Sequence, residues 1–277
     1  MGNFEQKTLA SLSIVKNLAG RLGGGTIKSL GQNFLVNQKT LLRFINLLKI
    51  TKEDIVIEIG AGIGVVSYTL CEQAKKVYLI EIDRTKEEAL TKVLENYDNF
   101  EIIWADATDF DFSTIDLEGK QAKVIGSLPY NVCKKIIYNL FLSKLDWSEA
   151  AFILQKEVAE SYASLPPRAD FLGTFASIFT DKEFRFKIRA SDFFPIPRVE
   201  SATILFKRND QYKHLDRRDF SAFIKNGYSS PRKKAFNNMN MKEKGAEIAE
   251  KFGINPNARP SELRVEDWEK FFVGSKE

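Results

Sequence analysis

A chain of 277 residues, 44% apolar and carrying a net charge of +4, holds enough material for one large packed domain and a small one. No window approaches the run of about 20 apolar residues that spans a bilayer, and the N-terminus lacks both the apolar stretch of a secretory signal and, with Gln6, a myristoylation pattern. Cys71 and Cys133 are too few and too far apart for a CxxC metal or redox motif, so a reducing cytoplasm is expected, with both thiols buried and unreactive.

Met1 to Lys28 is acid-poor, with Lys7, Lys16, Arg21 and Lys28 against Glu5, and Gly23-Gly24-Gly25 reads as a flexible joint. Residues 1–29 are therefore expected to be a basic arm, disordered when free. Beyond it the apolar pattern alternates: a strand over Asp54 to Ile59, a helix over Val65 to Gln73, a strand over Lys76 to Ile82 and a helix over Thr85 to Asn96. Strands over Glu101 to Trp104 and Lys123 to Ile125, a helix over Val132 to Leu145 and a strand over Ala150 to Gln155 continue the series. This alternation predicts an α/β fold, a Rossmann-like parallel, doubly wound sheet, closed by an antiparallel pair at Lys182 to Ile188 and Ser201 to Lys207. After Arg208 the segments become short, charged and helical, ending at Leu263 to Phe272. The expected boundary near Asn209 gives a sheet domain over 30–208 and a small helical domain over 209–277.

Between Lys207 and Lys234 nine basic residues face three acids, Asp210, Asp216 and Asp219. Arg217, Arg218, Arg232, Lys233 and Lys234 are the candidates for contact with a polyanion; a solvated charged face is the plainer reading of such a cluster. Ser230-Pro231-Arg232-Lys233-Lys234 could also be a DNA hook or nuclear signal.

Two motifs at strand ends carry chemistry. In Glu58-Ile59-Gly60-Ala61-Gly62-Ile63-Gly64 the glycines allow a tight turn and close approach of a ligand, with the required strand before and helix after. Glu81, ending the second strand, can accept from both hydroxyls of a ribose, and Asp106, after the third, from an adenine amino group. Val65 stands where a dinucleotide fingerprint wants a third glycine, and no phosphate-cradling donor set is evident, which favours a cofactor without phosphates such as S-adenosylmethionine. The second motif, Ser127-Leu128-Pro129-Tyr130, follows the fourth strand. An exocyclic adenine amine is a poor nucleophile because its lone pair is delocalised into the ring. Ser127 Oγ and the Leu128 carbonyl can accept from its N–H groups and free that pair, Pro129 fixes the turn, and Tyr130 offers a stacking ring.

Taken with Gly31-Gln32-Asn33-Phe34-Leu35, Leu154-Gln155-Lys156-Glu157-Val158-Ala159-Glu160, Phe193 to Ser201, Arg232 to Asn238 and Arg259-Pro260-Ser261-Glu262-Leu263, these motifs resemble the ribosomal RNA adenine N6,N6-dimethyltransferases, in particular their bacterial small-subunit branch. The resemblance runs from about Leu30 to the C-terminus. It implies S-adenosylmethionine held by Asn33, Leu35, Gly60, Gly62, Glu81, Ile82, Asp106 and Ser127, and a target base between Tyr130 and Phe193. It also implies transfer to two adjacent adenosines near the 3′ end of 16S rRNA within the immature small subunit, by a cytoplasmic monomer without a metal. Core packing is the plainer reading of Phe193. The family usually has Asn at the position of Ser127, so retained but slower chemistry is expected. Three rivals stand: a large-subunit rRNA methylase of the macrolide-resistance type, a weakly catalytic small-subunit assembly factor, and a DNA adenine methylase, for which the C-terminal region is short. The sole histidine, His214, is expected at the surface.

Overall fold

The computed structural model describes residues 9–22, 32–239 and 241–276, so the Gly23-Gly24-Gly25 joint lies outside the described residues. In chain order the strands are β1 Phe34–Leu35, β2 Ile55–Ile59, β3 Lys76–Glu81, β4 Phe100–Trp104, β5 Ala122–Ser127, β6 Trp147–Gln155, β7 Thr180–Ile188, β8 Phe193–Phe194 and β9 Ser201–Arg208. The α-helices are α1 Leu12–Asn17, α2 Gln38–Ile45, α3 Val65–Gln73, α4 Glu87–Val93, α5 Cys133–Leu142, α6 Lys156–Ala163, α7 Phe171–Phe179, α8 Arg217–Gly227, α9 Ala235–Asn238, α10 Lys242–Lys251 and α11 Val265–Gly274.

Seven strands form one sheet in the order β4-β3-β2-β5-β6-β9-β7, and the five from β4 to β6 pair in parallel. Every residue of β2 is buried, as expected of a central parallel strand covered on both faces. From β2 the chain winds one way to β3 and β4, and from β5 the other way to β6, so the strand order reverses between β2 and β5. A doubly wound sheet opens a crevice for a ligand at that reversal, beyond the carboxyl ends of the strands. The alternation in the sequence therefore forms the expected fold. A separate antiparallel ribbon pairs β1 with β8, Leu35 opposite Phe193.

Two expectations are corrected. Residues 9–22 of the N-terminal arm are folded: Ser11 Oγ caps α1 by accepting from Ile14 N–H, and Val15 and Ala19 are buried in the same apolar cluster as Leu35, Phe44 and Phe193. Lys16 lies over the Phe194 ring at 5.3 Å. The basic residues obscured an apolar stripe, Ala10, Val15 and Ala19, long enough to dock a short helix.

The second correction concerns the domain division. The chain separates into one compact unit of 1–156 and 184–206 and another of 157–183 and 207–277. The helical unit thus includes α7, which a single cut near 209 assigns to the sheet domain. Tyr228 explains the grouping: its hydroxyl bonds Thr174 Oγ1 on α7 at 2.7 Å and accepting carbonyls of Pro260 and Ala169, while its ring stacks on buried Trp268 of α11. These partners are dispersed along the sequence and show no local periodicity. Among the described residues no helix is long and apolar enough to cross a membrane.

Candidate active site

The first wall of the site is built from the carboxyl ends of β2 and β3. After Ile59 the chain turns through Gly60, Gly62 and Gly64, all at positive φ. Gly62 has two reasons to lack a side chain: its φ is +56°, and an added Cβ would sit 2.8 Å from Phe34 Cε1. Its N–H donates to Glu81 Oε2 at 2.8 Å, and Asp83 N–H donates to Glu81 Oε1 at 2.8 Å. Burial raises the Glu81 pKa against these two backbone donors, which favour the charged form. Glu58, fully buried on β2, accepts from Ser67 Oγ at 2.6 Å; burial, with the nearby Glu81 charge adding, pushes its pKa up to about 8.

Asp83 joins this wall to the segment that enters β1. Its carboxylate accepts from Gln32 Nε2 at 2.9 Å and from Thr85, and pairs with fully buried Lys86 at 3.2 Å. Burial would raise the Asp83 pKa, but these bonds hold it below the usual carboxylate range. Asp106, after β4, accepts from Thr108 N–H at 2.9 Å through one oxygen, as a turn-capping Asp does.

The second wall begins where β5 ends, at Ser127. Leu128 is buried and donates its N–H to Ile153 O of β6, and the Pro129 carbonyl accepts from Val132 and Cys133 to start α5. Ser127 is half-buried, and its hydroxyl has no intramolecular hydrogen-bond partner among the described residues. The Tyr130 hydroxyl lies 2.5 Å from Ser201 Oγ, and burial raises its pKa, partly opposed by that bond. Phe193, 2% exposed, reaches the site from the β1–β8 ribbon.

Both walls face one cavity of about 230 Å³. Every residue expected to hold the cofactor lines it: Asn33, Leu35, Gly60, Gly62, Glu81, Ile82, Asp106 and Ser127. So do Leu128, Pro129, Tyr130 and Phe193. Ile82 is an apolar side chain left 51% exposed at the rim, a surface that a flat apolar ligand would cover. The sequence reading missed Gln32, Phe34, Glu58 and Asn131 as lining residues. Three of these lie inside motifs already singled out, and Asn131 directly follows Tyr130, so adjacency was the available signal.

Residues of the helical unit fare unevenly. Arg218, Arg232, Lys233 and Lys234 are exposed. The Arg217 side chain is only 15% exposed; it pairs with Asp210 at 3.1 Å, donates to Asn209 O, and lies over the Phe179 ring. It braces this unit and is not displayed to solvent. His214 is at the surface, 2.6 Å from Glu269. Cys71 and Cys133 are both buried, and burial pushes the Cys71 thiol up to about 12.

The sheet reversal, the acidic end of β3 and the Ser-Leu-Pro-Tyr loop on one cavity define a Rossmann-like methyltransferase. A family model described as ribosomal RNA adenine dimethylase matches residues 26–274, and the chain belongs to that family. A protein named ribosomal RNA small subunit methyltransferase A from Clostridium botulinum, strain Langeland, is 32% identical over 251 residues, covering 88% of this chain and 91% of the relative. The protein of the same name from Mesoplasma florum is 30% identical over 258 residues, covering 88% and 96%. Among solved structures, a dimethyladenosine transferase from Plasmodium falciparum superposes with a TM-score of 0.76 at 22% identity over 88% of this chain and 97% of that one. The 23S rRNA methyltransferase ErmE gives 0.67 at 20% identity over 88% and 100%. At these identities the two structures speak to the fold.

Proposed function

We propose that this protein transfers methyl groups from S-adenosylmethionine to N6 of two adjacent adenosines near the 3′ end of 16S rRNA, in the assembling small ribosomal subunit of the cytoplasm, as a monomer. The observation that carries this reading is that the Ser127 to Tyr130 loop and the Glu81 carboxylate face the same cavity. The relatives named for the small-subunit rRNA support the choice of substrate.

The donor set fits the cofactor. Glu81 would accept from the ribose diol and Asp106 from the adenine amine, Ile82 would cover the adenine ring, and the segment from Gln32 to Leu35 would close the remaining side. S-adenosylmethionine, when bound, supplies an electrophilic methyl on a sulfonium. The protein's own residues prepare the nucleophile. Tyr130 and Phe193 stack the extruded base, offsetting part of the few kcal/mol that unstacking costs. Ser127 Oγ and the Leu128 carbonyl would accept from the amine N–H groups and free its lone pair to act as the nucleophile. The proton then leaves to water, so no strong base is required. Arg218, Arg232, Lys233 and Lys234 supply phosphate contacts in this reading.

The test is transfer of labelled methyl to small subunits lacking the modification, with large-subunit rRNA and duplex DNA in parallel, mapped by reverse-transcriptase arrest. Two adjacent stops near the 3′ end of 16S rRNA are expected; label in the other substrates would overturn the reading. Ser127, whose hydroxyl is shorter than the family's usual carboxamide, favours a second reading, a small-subunit assembly factor with weakened chemistry. Tight subunit binding without label is its signature.

A further inference from the structure

We infer that Ser201 is a positioning residue for the transfer step, its hydroxyl fixing the Tyr130 phenol so that the ring face, and not the hydroxyl, is presented to the target base. The inference rests on the adenosine reading above. Tyr130 sits beyond the end of β5 in a turn whose backbone is set by Pro129, but a turn does not set the orientation of a ring. What sets it is the contact at the ring's far end, 2.5 Å from Ser201 Oγ across 71 residues of sequence. Ser201 is fully buried as the first residue of β9, a strand built into the seven-stranded sheet beside β6. Its hydroxyl is therefore a fixed point that locates the Tyr130 phenol.

Two consequences follow from the chemistry. A partly buried phenol deprived of its partner would turn to recover a hydrogen bond, because a buried hydroxyl left unsatisfied is destabilising. With the bond made, the hydroxyl is engaged within the protein, and burial, partly opposed by that bond, holds its pKa above the usual tyrosine value, so the phenol stays protonated at neutral pH. The segment that carries Ser201 also carries Phe193 at its other end, and Phe193 pairs with Leu35 of the cofactor segment. One nine-residue stretch thus sets both aromatic faces and ties them to the cofactor side.

The full-length protein and its Ser201→Ala, Ser201→Thr, Tyr130→Phe and Ser201→Ala/Tyr130→Phe variants are compared in single-turnover methyl transfer to unmodified small subunits, with S-adenosylhomocysteine affinity measured by titration calorimetry. Ser201→Ala is expected to slow transfer on the order of tenfold, as small misplacements of reacting groups do, with S-adenosylhomocysteine affinity within twofold of the wild type. Ser201→Thr, which keeps the hydroxyl, is expected to restore most of the rate. The double variant is expected to be no slower than Tyr130→Phe, since each change removes the same bond. Transfer by Ser201→Ala within twofold of the wild type, losses that multiply, or a fall in cofactor affinity parallel to the rate would each overturn the inference. Tyr130→Phe deletes the bond from the other side and keeps the test decisive if Ser201→Ala fails to fold. A wild type that labels no small subunit would overturn the substrate reading, and the inference with it, whereas a normal wild type beside an unimpaired Ser201→Ala overturns the inference alone.

Discussion

The two walls of the cavity are held by different means. On the cofactor wall Glu81 is held by two backbone N–H groups and Asp83 by Gln32, Thr85 and Lys86, while Glu58 accepts from Ser67. The loop wall is held by backbone bonds, Leu128 N–H to Ile153 O and the Pro129 carbonyl accepting from Val132 and Cys133, and the far end of the Tyr130 ring by one side-chain bond to Ser201. A wall with redundant bonds defines a rigid binding shelf. A ring whose far end is fixed by one side-chain bond is the more easily displaced element. Affinity for the cofactor and rate of transfer are therefore separately breakable.

Glu81→Ala is expected to break the first wall with the largest effect. It deletes the proposed ribose acceptors and leaves Gly62 and Asp83 N–H groups without their partner. At about 1.5–3 kcal/mol for a hydrogen bond to a charged group, S-adenosylhomocysteine binding should weaken at least about 100-fold by calorimetry. Ser127→Ala should instead weaken that binding less than about tenfold and lower the transfer rate by on the order of 10–100-fold. Equal losses of affinity from the two changes would show that the walls are not independent.

Gly126→Ala tests where the walls meet. Gly126 precedes Ser127 on β5, and a Cβ there would lie 2.6 Å from the Ile59 carbonyl of β2 and 2.9 Å from Leu128 Cδ2. The first of these neighbours is backbone, so relief requires the strands to part. A loss of about 2–3 kcal/mol in urea unfolding is expected, with both cofactor affinity and rate impaired. A Gly126→Ala variant that binds cofactor normally would place the strain wholly in the loop wall.

This difference also governs what could be read in the sequence. The cofactor wall was legible because its residues sit at strand ends, where alternation fixes position: Glu81 and Asp106 were found by counting strands. Leu128, Pro129 and Tyr130 were found as a local motif, and all three line the cavity. Ser201 lay within a recognised segment, but its pairing with Tyr130 depends on β9 entering the sheet beside β6, an order no local pattern encodes. The same applies to Arg217, which charge counting grouped with exposed cations although Asp210 and Phe179 enclose it. Docking of residues 9–22 escaped notice because short stripes of three apolar residues carry little periodicity.

The two kinds of arginine in the helical unit extend the contrast. Replacing Arg232, Lys233 and Lys234 together by Ala should weaken small-subunit binding and lower the slope of log affinity against log salt by about 2, at roughly 0.7 per phosphate lost on single-stranded RNA. Arg217→Ala should leave that slope unchanged and lower thermal stability, since it removes the nearer of two arginines paired with Asp210 and the cation over Phe179. A change of salt slope in Arg217→Ala would return that residue to the RNA surface.

The smallest expected effect concerns Glu58, which sharpens the picture of the cofactor wall's charge. Its folded pKa of about 8 lies above the ordinary 4.5, so the stability it contributes is fully present below pH 4.5 and is lost as pH rises through about 8. Glu58→Gln, which keeps the bond to Ser67 without the titration, should therefore lose less stability than the wild type between pH 6 and 8. The expected difference in slope is about 1 kcal/mol per pH unit in chemical denaturation, close to the limit for one bound proton. The neutral acid at pH 7 adds no second negative charge beside Glu81, the β3 carboxyl that lines the cavity. Parallel stability curves for wild type and Glu58→Gln would mean that Glu58 is ionised beside Glu81, and the shelf would then carry one more negative charge towards a cationic ligand.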